Sequence, residues 1–370
     1  MPGMNKRRDT YRFLISGGGT GGHIFPAVSI GQELQRRLPG ADIRFVGARG
    51  RMEMQRVPAA GFPITGLPIA GLQRKKWWKN LALPYKIAAS LYQSYRLLKR
   101  FKPHAVIGTG GYASLPLLWT AQRLGIPTYV QEQNSFPGMT NKLLGKKARR
   151  VFTAYDEAAA YFPPGKAVLT GNPVRSDLSH RLPPAAEAKR HFGLDDAKPV
   201  ILVLGGSLGA AAINRQVARW IQEGLPANAQ MIWQTGKLYY DRYKHLERPG
   251  VRIVPFIKEM DRAYAAADLI ISRAGAGTLS ELALVGKPVI LIPSPNVAED
   301  HQTKNARAFS RHEAAVLLPE TQLDRLPAEV EKLLADEALR RRLAENIKKQ
   351  ARPDATRHIV DHILNDLQIG

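Results

Sequence analysis

The segment Ser16-Gly-Gly-Gly-Thr-Gly-Gly-His23 follows an apolar run at 11–15 and places five glycines in six positions, directly before a histidine. That order reads as a strand, a tight turn and a helix N-terminus whose unsatisfied N–H groups and dipole favour an anionic ligand. His23 stands where the helix begins, and an imidazole with an ordinary pKa of about 6.5 suits proton removal from a hydroxyl near neutral pH. Three further glycine turns follow apolar runs: Gly108-Thr-Gly-Gly-Tyr112, Gly205-Gly-Ser-Leu-Gly209 and Arg273-Ala-Gly-Ala-Gly-Thr-Leu-Ser-Glu281. Four such turns fit a site for phosphate and sugar groups. Ser207 offers a hydroxyl to a phosphate, Arg175 a bidentate guanidinium to a diphosphate or carboxylate, and Glu281 a carboxylate to a ribose diol.

Gly17, Gly19 and Gly22 also satisfy Gly-x-Gly-x-x-Gly, the dinucleotide fingerprint. An NAD site wants an acid at the end of the second strand, yet that end reads Phe45-Val-Gly-Ala-Arg49. Hydride transfer is therefore disfavoured. Arg49 suits a 2′-phosphate, which leaves an NADP-binding oxidoreductase as the competing reading from another class. No Asp-x-Asp or His-Glu-x-x-His occurs, and with no cysteine there are neither disulfides nor thiolate metal ligands. His358 and His362 stand i, i+4 with no third ligand and read as surface residues. The expectation is no metal and no cofactor, the leaving diphosphate being neutralised by N–H groups and basic side chains.

The elements that must position these residues alternate. Strands are expected near 11–16, 42–46, 104–108, 127–130, 150–153 and 166–170, with helices at 25–38, 79–101 and 114–124. After a linker-like stretch from Gly171 to Pro184 the pattern restarts, with strands at 200–204, 229–234, 251–254, 268–272, 288–292 and 314–318. A charged helical stretch covers 323–350, and a last helix 354–367. This predicts an α/β chain of two doubly wound, Rossmann-like domains facing a cleft. The boundaries are 1–174, 175–352, and a final helix in 353–370 that returns to the first domain.

Net charge is +23, and its distribution is uneven. From Met54 to Tyr155 the single acid is Glu132, against sixteen Lys or Arg, so this segment carries +15. Such a bias points to a polyanionic partner. Lys75 and Lys76 precede Trp77 and Trp78 and an amphipathic stretch, a combination suited to an anionic membrane surface, with Leu91, Leu97 and Leu98 packed inward. No helix-turn-helix, zinc-finger or RNP pattern suggests nucleic acid. No apolar run approaches the ~20 residues of a membrane span, and the run after the basic first ten residues is too short for a signal peptide.

The glycine turns, with Glu132-Gln-Asn134, Thr140-Asn-Lys142, Gly171-Asn-Pro-Val-Arg175, Ser272-Arg-Ala-Gly-Ala276, Thr278, Glu281, Asp300, Gln302 and Asn305, resemble the MurG family of bacterial N-acetylglucosaminyltransferases nearly end to end. The resemblance implies a GT-B fold and inverting, metal-independent transfer of N-acetylglucosamine from UDP-N-acetylglucosamine to the 4-hydroxyl of undecaprenyl-diphospho-N-acetylmuramyl-pentapeptide in peptidoglycan synthesis. It places Thr20, Gly21, Gly22, Asn134 and Gln302 at the donor sugar and phosphates, and Arg175 and Ser207 on the nucleotide side. It puts backbone groups of Ile257 against uracil, the helix start Ala276, Gly277, Thr278, Leu279 and Ser280 at the donor, and Glu281 on the ribose. His23 is the implied base, and Gly110, Gly111, Tyr112 and Lys142 lie towards the acceptor. The resemblance further implies a peripheral position on the cytoplasmic face of the inner membrane, with cell-wall synthesis and division proteins as partners. Gln131 stands where the family often has His, and Leu208 where it commonly has Gln. Another GT-B glycolipid glycosyltransferase or a sugar-nucleotide epimerase is the nearest alternative.

Overall fold

The computed structural model describes residues 10–71, 81–174, 182–206, 208–226, 228–297 and 300–369. The chain divides into two compact units, Met1–Val174 with Asp354–Gly370, and Arg175–Pro353.

The first unit is a seven-stranded sheet of β1 (Arg12–Gly17), β2 (Asp42–Ala48), β3 (Ile64–Leu67), β4 (Ala105–Gly110), β5 (Thr128–Glu132), β6 (Arg150–Thr153) and β7 (Ala167–Leu169). Their order is β3-β2-β1-β4-β5-β6-β7, with every neighbouring pair parallel. Phe13, Leu14 and Ile15 are fully buried, as a central parallel strand covered on both faces requires. Alternation divides them. Phe13 and Ile15 pack with Ile24, Ile30 and Leu34 of helix α1 (Gly21–Arg37), while on the other face Leu14 joins the core of α3 (Leu83–Phe101) and α4 (Ser114–Arg123). Two short helices, α2 (Glu53–Ala59) and α5 (Met139–Gly145), complete the unit's first segment.

The second unit repeats the plan with β8 (Val200–Leu204), β9 (Gln230–Gln234), β10 (Val251–Val254), β11 (Leu269–Ser272), β12 (Val289–Leu291) and β13 (Val316–Leu317), ordered β10-β9-β8-β11-β12-β13. Its helices are α6 (Ala185–His191), α7 (Ala211–Glu223), α8 (Tyr240–Tyr243), α9 (Met260–Ala266), α10 (Ala276–Val285), α11 (His301–Arg311), α12 (Leu326–Ala335) and α13 (Glu337–Lys349). The expected helical stretch 323–350 is divided because Asp336 leaves helical geometry and its side chain caps α13 by accepting Leu339 N–H at 2.8 Å. The final helix α14 (Ala355–Asp366) buries Ile359, Val360, Ile363 and Leu364 in the α1 face of the first unit. Arg150 grips its end, with two hydrogen bonds of 2.7 Å to Asp366. His362 is half-buried rather than a surface residue, its ring 6.0 Å from that of Phe152.

In each sheet the order reverses at one point, between β1 and β4 and between β8 and β11. Ligands in such sheets bind beyond the carboxyl ends of the strands at that reversal. All four glycine turns leave these four strands.

Candidate active site

Because β1 and β4 are neighbours, Gly17 pairs with Gly110 and the two turns that follow lie together. Gly110 and Gly111 have φ of 101° and 77°, a left-handed backbone that other residues avoid, and a Cβ on Gly110 would stand 2.9 Å from the His23 ring. The imidazole therefore lies against the 110–111 backbone. Thr20, the extended residue that opens α1, sets its Oγ1 3.0 Å from His23 Nδ1, and Thr109 Oγ1 donates to the His23 carbonyl at 2.7 Å. The Tyr112 ring packs over Gly19, and burial pushes its hydroxyl above the ordinary 10.0 while Arg51 draws it back. Thr20, His23, Gly110, Gly111 and Tyr112 are thus brought together.

Glu53 escaped the sequence reading. It is fully buried at the start of α2, and accepts Ala48 N–H from the end of β2 at 3.0 Å and Gly19 N–H from the glycine turn at 3.2 Å. A methyl group on Gly18 would overlap its carboxylate. One N–H of the expected anion cradle is consequently already occupied. The same contacts bear on the dinucleotide reading: Glu53 is the first acid after β2, and it points inward rather than towards a ribose.

Glu132 organises the loop after β5. Its carboxylate accepts from Asn134 N, Asn134 Nδ2, Gly138 N and Asn141 Nδ2 at 2.8–3.2 Å, while burial pushes it above its ordinary 4.5 against those bonds. Asn134 is thereby fixed through its amide NH2. Lys142, on α5, holds its ammonium 3.6 Å from the Phe136 ring centroid and 4.4 Å from that of Tyr161.

In the second unit, Glu281 lies in the second turn of α10 and accepts the Tyr264 hydroxyl at 3.1 Å. Its place beyond the first turn sets aside a mere complement to the helix dipole. Gly277, Thr278 and Ser280 are half-buried at the start of that helix, and the Ala276 side chain is nearly enclosed. Leu279 needs correction as a donor contact. Its side chain is fully buried in the core and its N–H is bonded to Gly275 O at 2.9 Å, since position 279 falls on the inward face of α10. Ile257 is buried and its N–H donates to Gln234 Oε1 at 2.9 Å, so only its carbonyl remains from the expected pair of backbone groups. Gln302, near the start of α11, accepts Ser294 N–H at 2.9 Å. Arg175 and Ser207 lie outside the described residues, as do Lys75, Lys76, Trp77 and Trp78.

Residues 13–153 match the glycosyltransferase family 28 N-terminal domain, and residues 200–359 the family's C-terminal domain. The chain belongs to glycosyltransferase family 28. A relative from Flavobacterium psychrophilum, named UDP-N-acetylglucosamine--N-acetylmuramyl-(pentapeptide) pyrophosphoryl-undecaprenol N-acetylglucosamine transferase, is 53% identical over 96% of this chain and 98% of its own length. A protein of the same name from Bacteroides fragilis is 49% identical over 96% of each. Among solved structures, MurG of Acinetobacter baumannii aligns with a TM-score of 0.78 and 29% identity, covering 96% of this chain and 99% of that one. A UDP-GlcNAc 2-epimerase from Neisseria meningitidis shares the fold alone, with a TM-score of 0.66 at 14% identity over 96% of this chain and all of the other. The fold is GT-B, as the sequence led one to expect.

Within this family 28 chain the two departures from the MurG pattern have different surroundings. Gln131 is fully buried and donates to Asn172 Oδ1 at 2.9 Å, while Asn172 Nδ2 donates to the Gln133 carbonyl and Gln133 Nε2 to the Thr109 carbonyl. It belongs to the scaffold behind the 108–112 turn. Leu208 is exposed at 62% in the 205–209 turn.

Proposed function

We propose that this chain transfers N-acetylglucosamine from UDP-N-acetylglucosamine to the 4-hydroxyl of undecaprenyl-diphospho-N-acetylmuramyl-pentapeptide, with inversion and without a metal ion. The observation that carries the reading is identity of 53% across 96% of the chain to a transferase of that name, joined to the seating of His23 on the 110–111 turn. With Nδ1–H donated to Thr20 Oγ1, the His23 lone pair falls on Nε2, which takes the acceptor hydroxyl proton. The acceptor oxygen attacks the sugar's anomeric carbon as the bond to the diphosphate breaks, and the electron pair leaves with UDP. N–H groups at the start of α1 and basic side chains, Arg175 included, stabilise the departing charge. Glu281, oriented by Tyr264, holds the ribose, and Gln302 and Asn134 contact the donor sugar. Tyr112 and the ring-held Lys142 serve the acceptor.

The lipid acceptor gives the basic first unit its purpose: docking on the anionic cytoplasmic face of the membrane, where cell-wall synthesis and division proteins would meet it. Among the described residues no helix is long and apolar enough to cross a membrane. Leu81, Tyr85, Ala88 and Tyr92 instead form an exposed stripe at helical spacing along α3 and its approach, with Arg96 beside Tyr92 and Lys99 beside Tyr95.

Transfer of labelled N-acetylglucosamine to a short-chain acceptor analogue tests the assignment. His23→Ala should lower turnover by roughly 10²–10⁴-fold with little change in donor KM, whereas Glu281→Ala should mainly raise donor KM. The reverse pattern would overturn both roles. Binding to anionic vesicles should weaken with salt and with Trp77→Ala/Trp78→Ala, and indifference to both would refute the docking surface.

A further inference from the structure

The second unit carries a cavity of about 470 Å³ at the amino-terminal edge of its sheet, where Pro199 precedes β8, Asp268 precedes β11 and Lys287-Pro288 precedes β12. The glycine turns leave the opposite edge. With five residues in β8, the two edges are about 16 Å apart. One face of α13, through Glu337, Arg340, Arg341 and Ala344, forms the other wall.

Four cations and two acids line this space, and the acids are already committed. Asp268 Oδ2 accepts Lys189 Nζ at 3.0 Å and Val200 N–H at 2.9 Å. Lys189 spends its remaining donors on the carbonyls of Lys198 and Asp196. Glu337 pairs with Arg341 at 2.8 Å. Two positive charges remain. Arg340 uses one nitrogen on the carbonyls of Leu333 and Leu334, which end α12, and Lys287 makes no hydrogen bond or ion pair with any described residue. Lys287 is nonetheless substantially enclosed: burial pushes its ammonium below the ordinary 10.5, with Asp268 drawing it back and Lys189 adding to the depression. A desolvated ammonium without an acceptor is a costly arrangement for a surface to keep.

We propose that this cavity binds a phosphate monoester with a small apolar body. Lys287 and the unspent nitrogens of Arg340 take the dianion, a point charge and a fork being the usual pair for phosphate oxygens. Leu334 and Ala344 face the apolar part. The volume falls within the range of about 300–1,000 Å³ typical of small-ligand sites. Its separation from the glycine turns makes the site distinct from that for the sugar nucleotide, so occupancy of one leaves the other open.

Thermal unfolding with saturating UDP present tests the proposal, using phenyl phosphate and inorganic phosphate as probes and sodium chloride at matched ionic strength as control. Phenyl phosphate should raise the wild-type midpoint above that in chloride, and inorganic phosphate should do so less. Lys287→Met keeps the methylene packing and removes a partly buried charge, so it should fold, and should bind phenyl phosphate roughly ten- to a hundredfold more weakly. Lys287→Arg should retain the response. A wild-type midpoint indifferent to both phosphates, or an undiminished response in Lys287→Met, would overturn the site.

Discussion

Replacing Glu53 gives the sharpest test of how the glycine turn is built. Its carboxylate is fully buried and accepts two backbone N–H groups, from Ala48 at 3.0 Å and Gly19 at 3.2 Å. Hydrogen bonds to a charged group contribute about 1.5–3 kcal/mol each, so Glu53→Ala should cost about 3–6 kcal/mol. That is a large fraction of a total stability of about 5–15 kcal/mol. Glu53→Gln is more informative, because one amide oxygen still accepts one N–H while the NH2 is turned on the other donor, a loss of about 1.5–3 kcal/mol. The assay is amide hydrogen exchange at Gly19 and Ala48, read beside the denaturation midpoint and steady-state kinetics. Protection should fall about 10–100-fold in Glu53→Gln at whichever of the two amides faces the new NH2 group. Turnover should fall with it, since Gly19 carries Tyr112 and leads to Thr20 and His23, while donor KM should hold because Glu281 and Tyr264 belong to the second unit. Wild-type protection at both amides, or an effect on donor KM alone, would refute the reasoning.

Tyr264→Phe removes the 3.1 Å hydrogen bond to Glu281 and should raise donor KM by less than Glu281→Ala does, measured at saturating acceptor. Asp366→Ala breaks a bidentate contact to Arg150 and should lower stability by about 1.5–3 kcal/mol, with faster exchange along α14. Burial holds the folded Lys287 value below 10.5, so between the two values the unfolded chain binds the extra proton and stability rises with pH. The contribution is lost as pH falls through the folded value. Denaturant midpoints should therefore show Lys287→Met more stable than wild type at neutral pH, with a flatter climb towards pH 10.5.

What the sequence disclosed follows from what each residue's environment depends on. Phe13-Leu-Ile15 and Val200-Ile-Leu-Val-Leu204 were legible because a central parallel strand is apolar on both faces and reads as an unbroken run. Ile64-Thr-Gly-Leu67 was not, being four residues long with an internal glycine on the edge of its sheet. His23 was legible as chemistry because turn and helix start adjoin it in the chain. Its seating on Gly110 and Gly111 required the β1–β4 register, which no local pattern carries. Glu53 looks, in sequence, like any acid in the first turn of a short helix; only the placement of β2 beside β1 delivers it to Gly18 and Gly19. Leu279 misled for the opposite reason. A glycine-rich helix start suggests ligand contact at every residue, whereas Leu279 shares the inward face of the helix with Ala276, three residues before it, and sends its side chain into the core.

The glycines themselves divide in a way that separates folding from function. Gly18 is closed by Glu53, and Gly19, with φ of 87°, lies against the Tyr112 ring and donates its N–H to Glu53. Gly22 differs: it sits inside α1, and a Cβ there would meet only Thr20 Oγ1, at an ordinary 3.7 Å. Alanine at a helical glycine position contributes about 0.8–1.0 kcal/mol, so Gly22→Ala should raise the melting temperature if packing is all that the residue serves. It should at the same time lower transferase activity, because the added methyl covers N–H groups of the first turn that have no partner within the helix. Gly18→Ala should instead lose stability and activity together. A Gly22→Ala protein that is more stable and fully active would show that the anion does not approach α1 at this point, and would move the diphosphate away from the turn altogether.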